Sequence, residues 1–168
     1  DRKRRMPKGD WFLGEFYEFS YDSDYDKSVV DNLINKEDTL SAEEYFELGV
    51  HYELGFGIEQ NIEKAYECFC KSAGKGYVRA EAAVGLHYAN GEGVEKNSDK
   101  AFLYFNKAEE KSLPYAYFYL GQCYNKAIGV EKNDKIAFEY YKKASDQGVI
   151  VATLEMAECY LKGEGVQT

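Results

Sequence analysis

The chain repeats itself every 36 residues, and that spacing limits what it can fold into. Gly49, Gly85, Gly121 and Ala157 stand 36 apart, as do Tyr52, Tyr88, Tyr124 and Tyr160. Gly57, Gly93, Gly129 and Gly165 keep the same interval, each followed by an aliphatic residue: Ile58, Val94, Val130 or Val166. Further on come Ala65, Ala101 and Ala137, then Phe69, Phe105 and Tyr141. A fixed period in the range of roughly 20–50 residues marks an array in which one supersecondary unit stacks on the next. Such arrays expose long surfaces that suit binding, but the pattern does not identify the partner.

Residues 78–113 show what one unit does. Apolar residues from Val78 to Asn90 recur at spacings of three and four, which predicts a helix. Gly91 and Gly93 then break the pattern, the first where a helix C-cap is expected. Asn97, Ser98 and Asp99 are candidate N-caps for a second helix, whose stripe is Ala101, Phe102, Phe105 and Ala108. Gly85 and Ala101 allow the two helices to approach closely, with Tyr88 and Phe105 filling the space around the contact. One such pair cannot bury its own stripes, so neighbours must stack.

The order Leu48-Gly49-x-x-Tyr52, then Ala65-x-x-x-Phe69, resembles the tetratricopeptide signature, and it recurs from Val84 and from Leu120. The period is 36 where the tetratricopeptide period is about 34. The two extra residues fall in the Gly-x-Gly-Val loop. With Lys64-Ala65, Lys100-Ala101, Lys107-Ala108 and Lys143-Ala144, the variant resembles the Sel-one-like repeat (SLR) family over about residues 41–168. The resemblance implies an all-α fold, a right-handed α-solenoid of 36-residue helix-loop-helix repeats. Ala127 departs from the pattern by replacing a loop glycine, so a different turn is expected there.

The expected organisation is a basic flexible start at 1–9 and a degenerate N-terminal cap repeat at 10–40. Intact repeats follow at 41–77, 78–113 and 114–149, with a partial fourth at 150–168. Within the cap, 27–36 reads as a worn second helix, because Val29 and Leu33 stand 36 before Ala65 and Phe69; 10–19 reads as its first helix. Residues 11–25 carry seven aromatics among acids, from Trp11 to Tyr25. This acidic-aromatic segment either packs on the first intact unit as part of the cap or docks into a groove as a linear motif. The chain stops before the second helix of its fourth unit, so a piece of a longer protein is expected, or a partner covering that face.

Net charge is −9, made of +4 over 1–8, −7 over 9–40 and −6 over the repeats. An acidic body argues against nucleic acid as partner, which needs clustered Lys and Arg. No long apolar run predicts direct membrane insertion. Cys68 and Cys70 face apart on one helix, and Cys123 and Cys159 sit on successive repeats, too far apart to bond. The resemblance implies that secreted relatives would carry a disulfide at Ala73/Glu81, Glu109/Tyr117 and Ser145/Thr153, where this chain has no cysteine. A cytoplasmic, reducing compartment is therefore expected; a secreted or periplasmic setting stays open because a leader can lie upstream.

One column, His51, His87, Cys123 and Cys159, is made of zinc-ligand types. Residues one repeat apart cannot converge on one ion, so no metal is expected and the column reads as helix packing. No nucleophile elbow, phosphate loop or paired carboxylate appears, so no cofactor and no enzymatic activity are expected. The resemblance implies that the first helix of each pair lines a concave face. That face would carry Glu43, Phe46, Val50, Glu53, Arg79, Leu86, Asn90, Tyr115, Phe118, Gln122, Lys126, Leu154, Glu158 and Lys162, with Phe46, Tyr115 and Phe118 as anchors. The expected function is a non-catalytic protein–protein interaction scaffold or adaptor binding a protein or peptide there. The resemblance implies roles such as assembling membrane-associated complexes, regulating an enzyme or mediating bacterium–host contacts. Two alternatives are a secreted glycan- or peptidoglycan-binding or hydrolysing protein, which the cysteine pattern opposes, and a homodimerisation module using the uncovered last helix.

Overall fold

The computed structural model describes residues 23–165. Its α-helices are all 13 residues long. They are α1 (Ser23–Asn35), α2 (Ala42–Leu54), α3 (Ile62–Gly74), α4 (Val78–Asn90), α5 (Ser98–Glu110), α6 (Pro114–Lys126), α7 (Asp134–Asp146) and α8 (Ile150–Lys162). A 3-10 turn at Glu37–Thr39 joins α1 to α2, and no strand occurs among the described residues. The helices pair as α2–α3, α4–α5 and α6–α7, and the second helix of each pair also packs on the first helix of the next. The result is an all-α repeat solenoid with one core running its length.

The glycine column forms the contact inside each pair. A Cβ on Gly49 would stand 2.6 Å from the Phe69 ring, one on Gly85 2.7 Å from Phe105, and one on Gly121 2.6 Å from Tyr141. Without a side chain, each first helix lets the ring of its partner lie on bare backbone. A second glycine fixes the stacking between pairs. A Cβ on Gly93, whose φ is +65°, would meet the Ile62 carbonyl oxygen at 2.6 Å, and Gly129 and Gly165 sit the same way on Ser98 and Asp134. The loop of each unit thus rests on the opening turn of the preceding unit's second helix.

Asparagines 36 apart begin the second helices. The side chains of Asn61, Asn97 and Asn133 accept from the backbone N–H of Lys64, Lys100 and Ile136. The backbone N–H of each asparagine donates to Tyr52, Tyr88 or Tyr124, which closes the loop. Gly55, Gly91 and Gly163 end the first helices in the left-handed region. Ala127 takes the same conformation at φ 56°, so its turn is preserved and not altered as the sequence suggested; a Cβ there is strained by about 1–2 kcal/mol.

At the N-terminal end, α1 packs on α2 and buries Val30 and Leu33, while Val29, the residue expected at the repeat position of Ala65, is half-buried. Ser41 then opens α2 with a capping box to Glu44. The basic start at 1–9 and the expected helix at 10–19 lie outside the described residues.

Gly85→Ala should cost about 1–3 kcal/mol by overpacking Phe105, lowering the thermal midpoint by about 2–4 °C per kcal/mol. Gly74→Ala, at a helical position with nothing within 4 Å of its would-be Cβ, should be neutral or mildly stabilising. Ala127→Gly should stabilise by about 0.5–1 kcal/mol by relieving the left-handed strain. Thermal denaturation followed by circular dichroism tests all three; equal midpoints for Gly85→Ala and wild type would refute the ring-on-glycine account.

Candidate partner-binding groove

The first helices α2, α4, α6 and α8 would line the inner wall, and the structure sorts their expected site residues by exposure. Glu43, Asn90, Lys126, Leu154, Glu158 and Lys162 are exposed, while Arg79, Leu86 and Gln122 are half-buried. Phe46, Val50, Glu53, Tyr115 and Phe118 are buried, so the three expected anchors, Phe46, Tyr115 and Phe118, present little surface. Phe46 packs between Phe69 and Tyr77 at ring distances of 5.4 and 5.2 Å, and Phe118 contacts Tyr119 and Tyr141 at 5.4 and 6.0 Å. Their rings extend the intrarepeat contact, so a charge placed there would break the core before it tested binding.

The open part of the wall is its C-terminal end. Leu154 is 66% exposed and Leu161 88%, whereas Phe46, Ala82 and Phe118, at the repeat position of Leu154, are 4%, 0% and 9% exposed. A cleft between the end of α6 and α8 is lined by Asn125, Lys126, Glu155, Glu158, Cys159, Lys162 and Glu164. Lys162 Nζ donates to Glu158 Oε1 at 2.5 Å, which holds that carboxyl below and that amine above its ordinary value. Asn125 Nδ2 donates to Asp134 Oδ1 at 3.2 Å and ties α6 to α7. Apolar Leu154 and Leu161 beside these mixed charges give a surface suited to a protein or peptide.

The histidine–cysteine column closes loops. His51 Nδ1 lies 2.8 Å from the Phe56 carbonyl, and His87 Nδ1 2.7 Å from that of Glu92, so each ring donates across its own turn. Cys123 and Cys159 fill the same place by packing; burial pushes the Cys123 thiol up to about 12, so it stays protonated. Among the described residues no three His, Cys, Asp or Glu side chains converge as a metal set would. The sequence showed the column's packing but not its hydrogen bonds, because a ring nitrogen's partner depends on the loop path. Glu53 is buried, and its Oε1 lies 3.9 Å from His87 Nε2 at the seam of two units.

Aromatic residues mark every seam. Tyr66 donates to Tyr88 Oη at 2.8 Å, Phe102 meets Tyr124 edge-on at 5.8 Å, and Phe138 meets Tyr160 edge-on at 5.2 Å. Within pairs, Tyr88 stacks on Tyr104 and Tyr124 on Tyr140. Of positions 66, 102 and 138, the sequence reading named Phe102 as part of a helical stripe, but not the 36-residue column that the three form. Lys111 pairs with buried Glu81 at 2.7 Å, another contact that the repeat pattern does not signal, because Glu81 does not recur: Tyr45 and Tyr117 stand at its repeat position.

Burial pushes the His87 imidazole below its ordinary value, against the Glu92 carbonyl and carboxylate, which pull it up. Folding therefore favours neutral His87. Above the unfolded value of about 6.5 this has no effect, and below it the unfolded chain binds a proton that the folded chain resists. Urea midpoints should thus fall more steeply between pH 7.5 and 5.0 for wild type than for His87→Cys; parallel curves would contradict this.

A family model described as Sel1 repeat matches residues 45–77, 78–113, 114–149 and 150–168. Among solved structures, the chain is similar to c5321, a protective antigen present in uropathogenic Escherichia coli strains displaying an SLR fold. Identity is 31%, covering 82% of this chain and 30% of that one, with a TM-score of 0.74. It is also similar to a Sel1 repeat protein from Oxalobacter formigenes, at 29% identity over 84% of this chain and 58% of that one, with a TM-score of 0.73. Cysteine rich protein B (hcpB) of Helicobacter pylori shares the fold at 24% identity over 74% and 95% of the two chains, with a TM-score of 0.57. The chain thus spans 30% and 58% of the first two relatives. No match was found among curated proteins.

Proposed function

The chain belongs to the Sel1 repeat family, and from that premise we infer that it is a non-catalytic adaptor holding a protein or peptide on the inner wall of its solenoid. Proteins of this family are generally protein-interaction scaffolds. The observation that carries the finer reading is the open, mixed surface of α8 and the end of α6, where Lys126, Leu154, Glu158, Leu161 and Lys162 reach solvent. Apolar anchors beside charges that set orientation are the makeup of a peptide-binding surface. No described helix is long and apolar enough to cross a membrane. Four free cysteines, with Cys68, Cys123 and Cys159 buried, support a reducing compartment as the setting.

A second reading rests on the same helix. Ile150 is 70% exposed beside Leu154 and Leu161, and two copies could cover these side chains by pairing α8 with α8. One experiment separates the two. Crosslinked partners are captured from the source lysate with wild type and with Leu154→Glu/Leu161→Glu, and both are weighed by light scattering. The adaptor reading expects a monomer whose partner crosslinks to α6 and α8 and is lost from the variant. Equal capture by both proteins would sink it, and a wild-type dimer that the variant dissolves would favour self-association.

A further inference from the structure

We propose that the cleft between the end of α6 and α8 takes an arginine side chain of the partner, with Glu155 and Glu164 as its carboxylates and Tyr141 Oη as a further hydrogen-bond partner. This rests on reading that surface as the partner-binding one, and it says what chemistry the partner brings there. Three observations carry it.

The first is a gap in a repeated contact. At the seam of units two and three, Phe105 stacks on Tyr119 with ring centroids 5.0 Å apart. One repeat on, Tyr141 stands where Phe105 does, and Glu155 where Tyr119 does. A carboxylate side chain does not fill the space of a phenol ring, and Glu155 here lines a cleft of about 290 Å³. Small-ligand sites run from about 300 Å³ upward, so this one suits a single side chain. Ala157, at the repeat position where Gly49, Gly85 and Gly121 seat their second helices, is not among its lining residues.

The second is a buried hydroxyl. Tyr141 is closed to solvent, and its Oη has no hydrogen-bond partner among the described residues. Phe69 and Phe105, at the same repeat position, have no such atom to satisfy. Their rings show where it points. Phe69 lies 5.4 Å from the His87 ring and Phe105 5.0 Å from that of Tyr119; Cys159 and Glu155 hold those two positions in the last unit. Both line the cleft. Burial first, and then the charge of Glu155, pushes the phenol above its ordinary value. A buried hydroxyl without a partner is costly, so a group that reaches it through the cleft is held there.

The third is charge. The carboxylates of Glu155, Glu158 and Glu164 share the cleft with the ammoniums of Lys126 and Lys162. Glu158 takes Lys162 at 2.5 Å. Glu155 and Glu164 are half-buried, whereas Lys126 is exposed and balances only one of them. One negative charge is left over, so the cleft favours a cation. A guanidinium is planar with five N–H donors, and it can donate to a carboxylate and to the phenol oxygen at once while the phenol O–H turns to Glu155. A lysine ammonium offers its donors from a single point.

Nα-acetyl-arginine amide is titrated into the chain, and the side-chain amide signals of Asn125, on the cleft wall, are followed by NMR. The lysine and norvaline analogues serve as controls. The expected result is saturable shifts with the arginine probe, weaker ones with lysine and none with norvaline. Glu155→Tyr restores the ring found at Tyr119 and should abolish binding. Tyr141→Phe restores the residue of the first two units and should weaken binding several-fold, with a thermal midpoint equal to wild type or higher. If Glu155→Tyr loses helical circular dichroism, Glu155→Gln takes its place. Unmoved Asn125 signals, meaning a cleft that holds only water, would overturn the proposal. So would equal shifts with norvaline, or binding undiminished in the variants. No partner is present in the titration, so its failure leaves the adaptor reading standing. A partner lost from Leu154→Glu/Leu161→Glu but captured in full by Glu155→Tyr would reject this proposal alone.

Discussion

A ring lying on a glycine is the contact on which this solenoid depends. Phe69, Phe105 and Tyr141 each occupy space that a single methyl on Gly49, Gly85 or Gly121 would take. Dispersion and apolar burial both fall steeply with separation, so removing that Cβ gives the two helices of a unit their closest approach. The outward positions of these helices, including the inner wall, inherit their geometry from this seat. The buried Phe46 and Phe118 are part of it, since their rings pack on Phe69 and Tyr141.

Stacking between units uses a different device. Gly93, Gly129 and Gly165 bring backbone against backbone, and the aromatic seams close around them. The three seams share an edge-on ring pair, Tyr66 with Tyr88, Phe102 with Tyr124 and Phe138 with Tyr160, and the first adds a phenol hydrogen bond. Backbone contact and ring pair both repeat from unit to unit, as expected where stability is a sum of unit and nearest-neighbour terms.

Much of this was legible in the sequence because glycine and asparagine act locally. Val78–Asn90 was readable as a helix to its last residue, and Asn97 as a cap, since both depend on spacing along the chain. The family was readable for the same reason, its signature being a spacing. The inner wall was less legible. The resemblance would place Phe46, Val50 and Phe118 on it, but whether they stay open depends on neighbours that spacing does not encode. Glu53 meets His87 at the seam, a proximity that depends on the next unit's helix and not on spacing along the chain. The left-handed turn at Ala127 survives without its glycine because the flanking contacts, including Asn133 N–H to the Tyr124 carbonyl, hold the loop's path.

The placement of the second loop glycine has an evolutionary consequence. Because Gly93 and Gly129 lock neighbouring units through main-chain atoms, the register of the stack is indifferent to what the outward side chains are. Glu43, Arg79 and Val151 share one repeat position, none of them is buried, and they have no chemistry in common. A lineage can therefore rewrite the outward face of such a stack, one residue at a time, without renegotiating how its units are joined.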